Sequence, residues 1–237
     1  MALPSMTLSE LRDASKQRAD MVNGSFISDA EWNSYINSSY FELYDLLVQK
    51  FGDDYFVSID TSITTNGSSE RFSLASISPG VYKLLGVDLQ LSGTVGASNG
   101  QYIPLKPFNM SERTMLGTVS SPYGRLSEIR YRFSGSTLWL NPLPAAGYPV
   151  RLWYVPQLTP LTSDTSSADG VSGWLEYVVT DAAIKALQKE ESDVSVLMAQ
   201  KQALAQRIES AAENRDAGAP ATVADVGARL SGDLEWM

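Results

Sequence analysis

The chain has 237 residues, a formal net charge of -9, and neither histidine nor cysteine. The two zeros exclude a Ser-His-Asp triad, an imidazole base, a thiol nucleophile, a disulfide and any zinc or iron–sulfur site built on those ligands. With 43% hydrophobic and 19% charged residues the chain can bury a sizeable core, and its acidic balance argues against a dedicated duplex-DNA binder.

No run of about 18 apolar residues is present to span a membrane. The opening MALPSMTLSELRDASK lacks the basic start and apolar run of a secretory signal. Thr7-Leu8-Ser9-Glu10 has the spacing of a capping box, with Met6 and Leu11 placed as its hydrophobic staple. Ser28-Asp29-Ala30-Glu31 repeats the device, with Ile27 and Trp32 as the staple and Asn23-Gly24 as a turn between the two. These signals predict one helix over Leu8 to Val22 and a second over Asp29 to Lys50. In the second, Trp32, Tyr35, Ile36, Tyr40, Leu43, Leu46 and Leu47 recur at helical spacing.

From Tyr55 the pattern changes to short alternating, β-branched runs broken by Gly and Pro. Strands are expected within YFVSIDTSI and over Arg71–Ala75, Val81–Leu91, Leu126–Phe133, Thr137–Leu140 and Val150–Val155. Asn66-Gly67 reads as a turn and Ser134-Gly135-Ser136 as a tight hairpin. This part reads as an antiparallel β sandwich or a small barrel. Ser163–Asp169 reads as a polar linker. Helical periodicity then returns through Trp174, Tyr177, Val178, Ile184 and Leu187, and again through Val194, Leu197, Leu204, Ile208 and Ala211. Ser192 is the expected cap of the last helix, and Gly218 and Pro220 its end.

The order predicts an α+β fold. Helix pairs in 1–54 and 161–216 form one antiparallel bundle, 55–160 is an inserted β domain, and 217–237 is an extended tail. Charge follows the same division. Residues 1–54 hold 9 acids and 4 bases, residues 55–160 hold 5 and 8, and residues 161–237 hold 13 and 6. Opposite signs on the helical and β parts suit partners of complementary charge. They also follow from the readier acceptance of Glu and Asp in helices.

Chemical motifs are few. Asp53-Asp54 are neighbours, whereas a glycosidase needs two carboxyls facing each other, so a solvated turn is the plainer reading. Glu190-Glu191 with Asp193 lacks the ligand spacing of an EF-hand, and Asp193 is placed to complement a helix N-terminus. No metal, cofactor or catalytic residue is expected. Gly93–Gly100 is not a phosphate-binding loop; it reads as a hairpin tip, with Asn99 a candidate contact to a neighbouring subunit. Arg125, Arg130, Arg132 and Arg151 alternate with Tyr131, Phe133, Trp139, Trp153 and Tyr154. That pattern fits strands with one wet and one buried face. Arg130, Arg132 and Arg151 are also candidates for subunit or tail contacts, and a stacking platform for single-stranded nucleic acid is a further reading. The tail ends in Leu230, Leu234 and Trp236. These either dock on the chain's own domain or anchor a partner-binding peptide that orders on contact.

Several motifs resemble those of bacteriophage head–tail adaptor, or connector, proteins. They are Leu8, Leu11-Arg12, Arg18, Ile27-Ser28-Asp29-Ala30-Glu31 and Tyr35-Ile36-Asn37. Val81–Asp88, Leu138–Pro142, Leu152–Pro156, Gly173–Val179 and Lys189–Asp193 extend the resemblance along nearly the whole chain. It implies a structural virion protein without enzymatic activity, made in the host bacterial cytoplasm and placed at the head–tail interface. It further implies a closed ring, usually of about twelve subunits, docked beneath the portal. The tail would embrace portal subunits, the β part would meet the next tail or nozzle protein, and double-stranded DNA would pass through without tight binding. Another tail or baseplate component is the alternative, and a carbohydrate-binding or carboxylate-dependent hydrolase module is a more distant one.

Overall fold

The computed structural model describes residues 5–52, 55–92, 100–113, 129–169 and 174–213. The protein is α+β, with four helices and mainly antiparallel sheets. A short strand β1 (Ser5–Thr7) leads into α1 (Leu8–Arg18). Here the capping box is complete: the Glu10 amide donates to Thr7 Oγ1 at 3.3 Å, and the Thr7 amide donates to Glu10 Oε2 at 2.8 Å. Helix α1 ends earlier than its periodicity suggests. The Met21 amide bonds the Lys16 carbonyl and the Asp20 amide bonds that of Gln17, a Schellman closure with Asp20 at φ +57°.

Helix α2 (Asp29–Phe51) starts at Ser28, whose side chain accepts from the Glu31 amide. The expected second box is only half made. The Glu31 carboxylate turns outward to the Tyr35 hydroxyl and Lys189, because a lysine across the helix interface competes for it. Helices α3 (Leu175–Lys189) and α4 (Ser195–Glu213) follow near the C-terminus. The α3–α4 turn repeats the closure of α1, with the Ser192 amide on Leu187 O, the Glu191 amide on Gln188 O, and Glu191 at φ +60°. Asp193, not Ser192, caps α4, its carboxylate accepting from the Ser195 amide at 2.9 Å. Ser192 stands three residues before the first residue of α4 and belongs to the turn that closes α3. A side chain with a Cβ is strained in the left-handed region. Glu191→Gly is therefore expected to raise stability by about 0.5–1 kcal/mol, read as a higher midpoint of urea unfolding. An unchanged or lower midpoint would mean that the Glu191 side chain contributes more than its conformation costs.

Helix α3 is buried around its whole circumference from Tyr177 to Ile184, not on one face, while Glu176, Gln188 and Lys189 at its ends are exposed. Leu8 and Leu11 of α1, Ile36 and Leu43 of α2 and Ile208 of α4 share its core. The predicted linker does structural duty. Strand β10 (Ser167–Asp169) pairs antiparallel with β1, and the Ser166 and Asp164 carbonyls accept from the Leu8 and Ser9 amides. Residues far along the chain thus satisfy the free amides of the first turn of α1.

The β part forms two separate four-stranded sheets. One has the order β2 (Ser58–Thr64), β9 (Pro149–Pro156), β4 (Val81–Ser92), β5 (Gln101–Pro104). The other has β3 (Arg71–Ser73), β8 (Thr137–Asn141), β7 (Arg130–Ser134), β6 (Lys106–Pro107). All pairs are antiparallel except β6 with β7. No barrel closes among the described residues. Strands β5 and β6 are separated by one residue yet lie in different sheets, and Pro104 and Pro107 lack the N–H needed to continue a ladder. Both sheets feed one core of Val87, Leu89, Leu138, Leu140, Val150 and Leu152. The 134–136 hairpin forms as read, with Ser134 opposite Thr137 and Gly135 at φ +59°.

The helices and the first sheet are joined by Tyr44, Val48 and Val155. The Tyr44 hydroxyl donates to the Pro156 carbonyl at 2.5 Å, and Tyr82 donates to Asp45 at 2.9 Å.

Candidate interaction surfaces

The predicted arginines fall into two groups. Arg151 on β9 is committed internally. Its guanidinium donates to Asp88 Oδ2 at 3.0 and 2.7 Å, lies 3.6 Å over the Tyr102 ring and 4.9 Å from that of Trp153. Trp153 Nε1 donates to the same carboxylate oxygen at 2.7 Å. Arg130 and Arg132 on β7 stand nearer solvent: Arg130 faces Glu112 at 3.6 Å and Arg132 donates to the Phe108 carbonyl at 3.2 Å. Trp139 is used likewise, packed edge-on against Phe108, donating to Glu70 and covered by Arg71. The arginines with Trp139 and Trp153 thus mark the outer faces of strands whose alternate residues turn to the core, as at Tyr131, Phe133, Leu138, Leu140, Val150, Leu152 and Tyr154. Asn99, Leu230, Leu234 and Trp236 lie outside the described residues, as do Asp53 and Asp54.

A site that sequence reading missed sits beneath α4. Asp181 of α3 is 2% exposed. It accepts from Lys185 and Lys201 at 2.7 and 2.6 Å and from the Ser39 hydroxyl at 2.6 Å. Glu42 of α2 pairs with the same two lysines at 2.8 and 3.0 Å. Burial raises the Asp181 pKa, but the three donors outweigh it and hold the carboxyl below its ordinary value. Burial likewise disfavours charge on Lys201, and Asp181 with Glu42 overrides it, holding the ammonium above its ordinary range. The signal was present as an acid with a lysine four residues on, inside the otherwise mainly apolar VVTDAAIKAL. Beside these charges lies a groove of about 730 Å³ between α3 and α4, lined by Ile184, Gln188, Met198 and Gln202.

A second cavity, about 400 Å³, lies where α2 meets the first sheet, lined by Tyr40, Tyr44, Phe56, Tyr154, Pro79 and Pro156. Burial, then neighbouring tyrosines and Asp45, push the Tyr44 hydroxyl up to about 12. Among the described residues no cluster of three or more acidic side chains is arranged to hold a metal ion. No described helix is long and apolar enough to cross a membrane.

The motif residues shared by Leu11-Arg12 and Tyr35-Ile36-Asn37 have clear work in this arrangement. Arg12 bonds Asn33 at 3.1 Å and Asp164 at 2.9 Å. The Asn37 side chain clasps both backbone groups of Leu161, at 3.0 and 2.7 Å. Both fasten 161–169 to the first two helices. The sequence model of the SU10 adaptor protein family matches residues 6–224, which includes all of these positions. The chain belongs to that family. No curated protein matches the chain.

The SU10 adaptors are a phage head–tail adaptor family, so this adaptor is a structural phage protein and a virion component. The class is not an enzymatic one. For such a protein the functional sites are contact surfaces; Arg12 and Asn37 hold the segment leading to α3 against the first two helices, and the shared core does the rest. The match ends before Leu230, Leu234 and Trp236.

Proposed function

We propose that this adaptor forms a closed ring under the portal of a tailed phage, probed most directly through its tail. In this reading the helix pairs of 1–54 and 161–216 form one bundle facing the portal. The β segment 55–160, built as a sandwich, meets the next tail or nozzle component, and DNA passes through the lumen. The observation that carries it is the family match over 6–224. The charge division supports it: acids outnumber bases in both helical segments, so a lumen bordered by them would repel phosphate and let DNA slide without tight binding. Leu230, Leu234 and Trp236 then anchor a portal-binding peptide of 217–237, while Arg130, Arg132 and Asn99 lie on the β part as contacts to a neighbouring subunit or the tail. Arg151, already clamped by Asp88, serves the sheet instead.

Deleting Leu230–Met237 is expected to leave the circular dichroism spectrum and melting temperature unchanged while weakening co-sedimentation with portal. A truncated chain that binds portal as well as the intact one would overturn the assignment of the tail. A chain that co-sediments with tail tube and not with portal would move the protein to another part of the virion.

A further inference from the structure

Helix α4 is attached to the rest of the fold by little apolar surface. Ile208 is the one fully buried side chain among its described residues, with Leu197, Leu204 and Ala205 partly covered. Ion pairs complete its attachment, through Lys201 to Asp181 and Glu42 and through Lys50 to Glu209. Its outer face is unusual for this acidic chain. Val196 and Met198 are 67% and 53% exposed, and Ala199, Gln202, Ala203 and Gln206 stand exposed with them. From Val196 to Gln206 none of its exposed residues is charged; the charges come at its end, where Arg207 stacks on Trp174 and Glu209 pairs with Lys50. The adjacent groove is neutral too, because Lys185 and Lys201 are matched by Asp181 and Glu42. A helix face meant for solvent is ordinarily dressed with charge.

We infer that this face of α4, with the groove beside it, receives the outer stripe of α2 from a second copy of the chain. The inference rests on the ring proposed above and names the surfaces that close it. A second copy is singled out by charge. Each chain carries -9, so two copies approach with least repulsion where neither surface is charged. A ring contact is heterologous and needs two different faces on each copy. Helix α1 is unsuited as the second face, since Glu10 and Asp13 are on its surface and Asp20 stands just past its end. The outer stripe of α2 from Ala30 to Phe41 fits: Ala30, Ser34 and Ser38 are small, exposed and uncharged, Phe41 is 37% exposed, and the exposed acid Asp45 comes only a turn beyond them. Small residues let the helices approach closely, and Phe41 supplies an apolar knob for the groove floored by Ile184 and Met198.

The absence of cysteine makes the test direct. Full-length Phe41→Cys and Met198→Cys chains are mixed in equal amounts, assembled with portal, and oxidised. A disulfide between the two variants is expected in the mixture, and neither variant alone should cross-link. Ala203→Glu should weaken self-association about 10- to 100-fold by placing an unpaired charge in the contact, with an unchanged melting temperature. Dimers of Met198→Cys alone would mean that α4 meets α4, which overturns the inference. Rings seen by native mass spectrometry without the mixed disulfide would overturn these two faces and leave the ring standing. Monomers both free and on portal would overturn the ring itself.

Discussion

Asp181→Ala should destabilise the adaptor by about 3–5 kcal/mol, the cost of breaking a buried ion pair from one side. The substitution removes the carboxylate shared by Lys185, Lys201 and Ser39 and leaves two ammonium groups facing each other with only Glu42 between them. Urea unfolding at neutral pH measures it; a loss below about 1 kcal/mol, the range of exposed ion pairs, would show that water already screens the cluster. The same group gives an acid signature. Its folded-state pKa lies below the unfolded one, so the unfolded chain binds the extra proton. The contribution is then complete above about pH 4, the ordinary aspartate value, and is lost as pH falls through the lowered native value. Asp181→Asn should therefore flatten the acid limb of the stability curve relative to the parent. Lys201 acts in the opposite sense. Its raised pKa means that its contribution is complete below the ordinary lysine value and fades only above it.

Trp32→Ala is the second large effect, again about 3–5 kcal/mol, from lost apolar burial and the cavity left behind. Trp32 is 1% exposed and packs edge-on against Tyr35. It holds together Ile27 before α2, Ala19 and Met21 after α1, and Ala183 and Ala186 of α3. Proteolytic cleavage within 20–28 should accelerate together with the loss seen in urea. Unfolding weakened without faster cleavage there would mean that the loop is held by something other than this side chain. Trp32→Phe should recover a good part of the loss, because a ring of smaller volume still fills much of the site.

The parts of the fold legible in advance were those decided by neighbours in sequence. Thr7 and Glu10 lie three residues apart and meet whatever the rest of the chain does. Leu138 and Leu140, or Val150 and Leu152, point the same way because a strand has period two. The half-made box at Ser28 shows where this reasoning stops. Glu31 had the right spacing, but Lys189, 158 residues away, took its carboxylate. The reading of 163–169 as a linker failed for the same reason: its carbonyls cap α1 and its last residues pair with β1, and nothing local in a polar stretch announces either. The family motifs were visible as residue types, while the work of Arg12 and Asn37 became clear only with their partners Asp164 and Leu161 in place.

What the sequence determined by itself, then, was element type, approximate order, the exclusion of thiol and imidazole chemistry, and the acidity of both helical segments. Those properties belong to single residues or to windows of a few. The tertiary structure alone decided that the sheets stay open among the described residues, that the middle of α3 is enclosed on every side, and that an aspartate there is balanced by lysines from α3 and α4. Each of these depends on which distant surfaces come together. Burial then changes the meaning of a residue: the same carboxylate that water would leave almost without effect becomes, among two ammonium groups and a hydroxyl, a main fastening of the last helix.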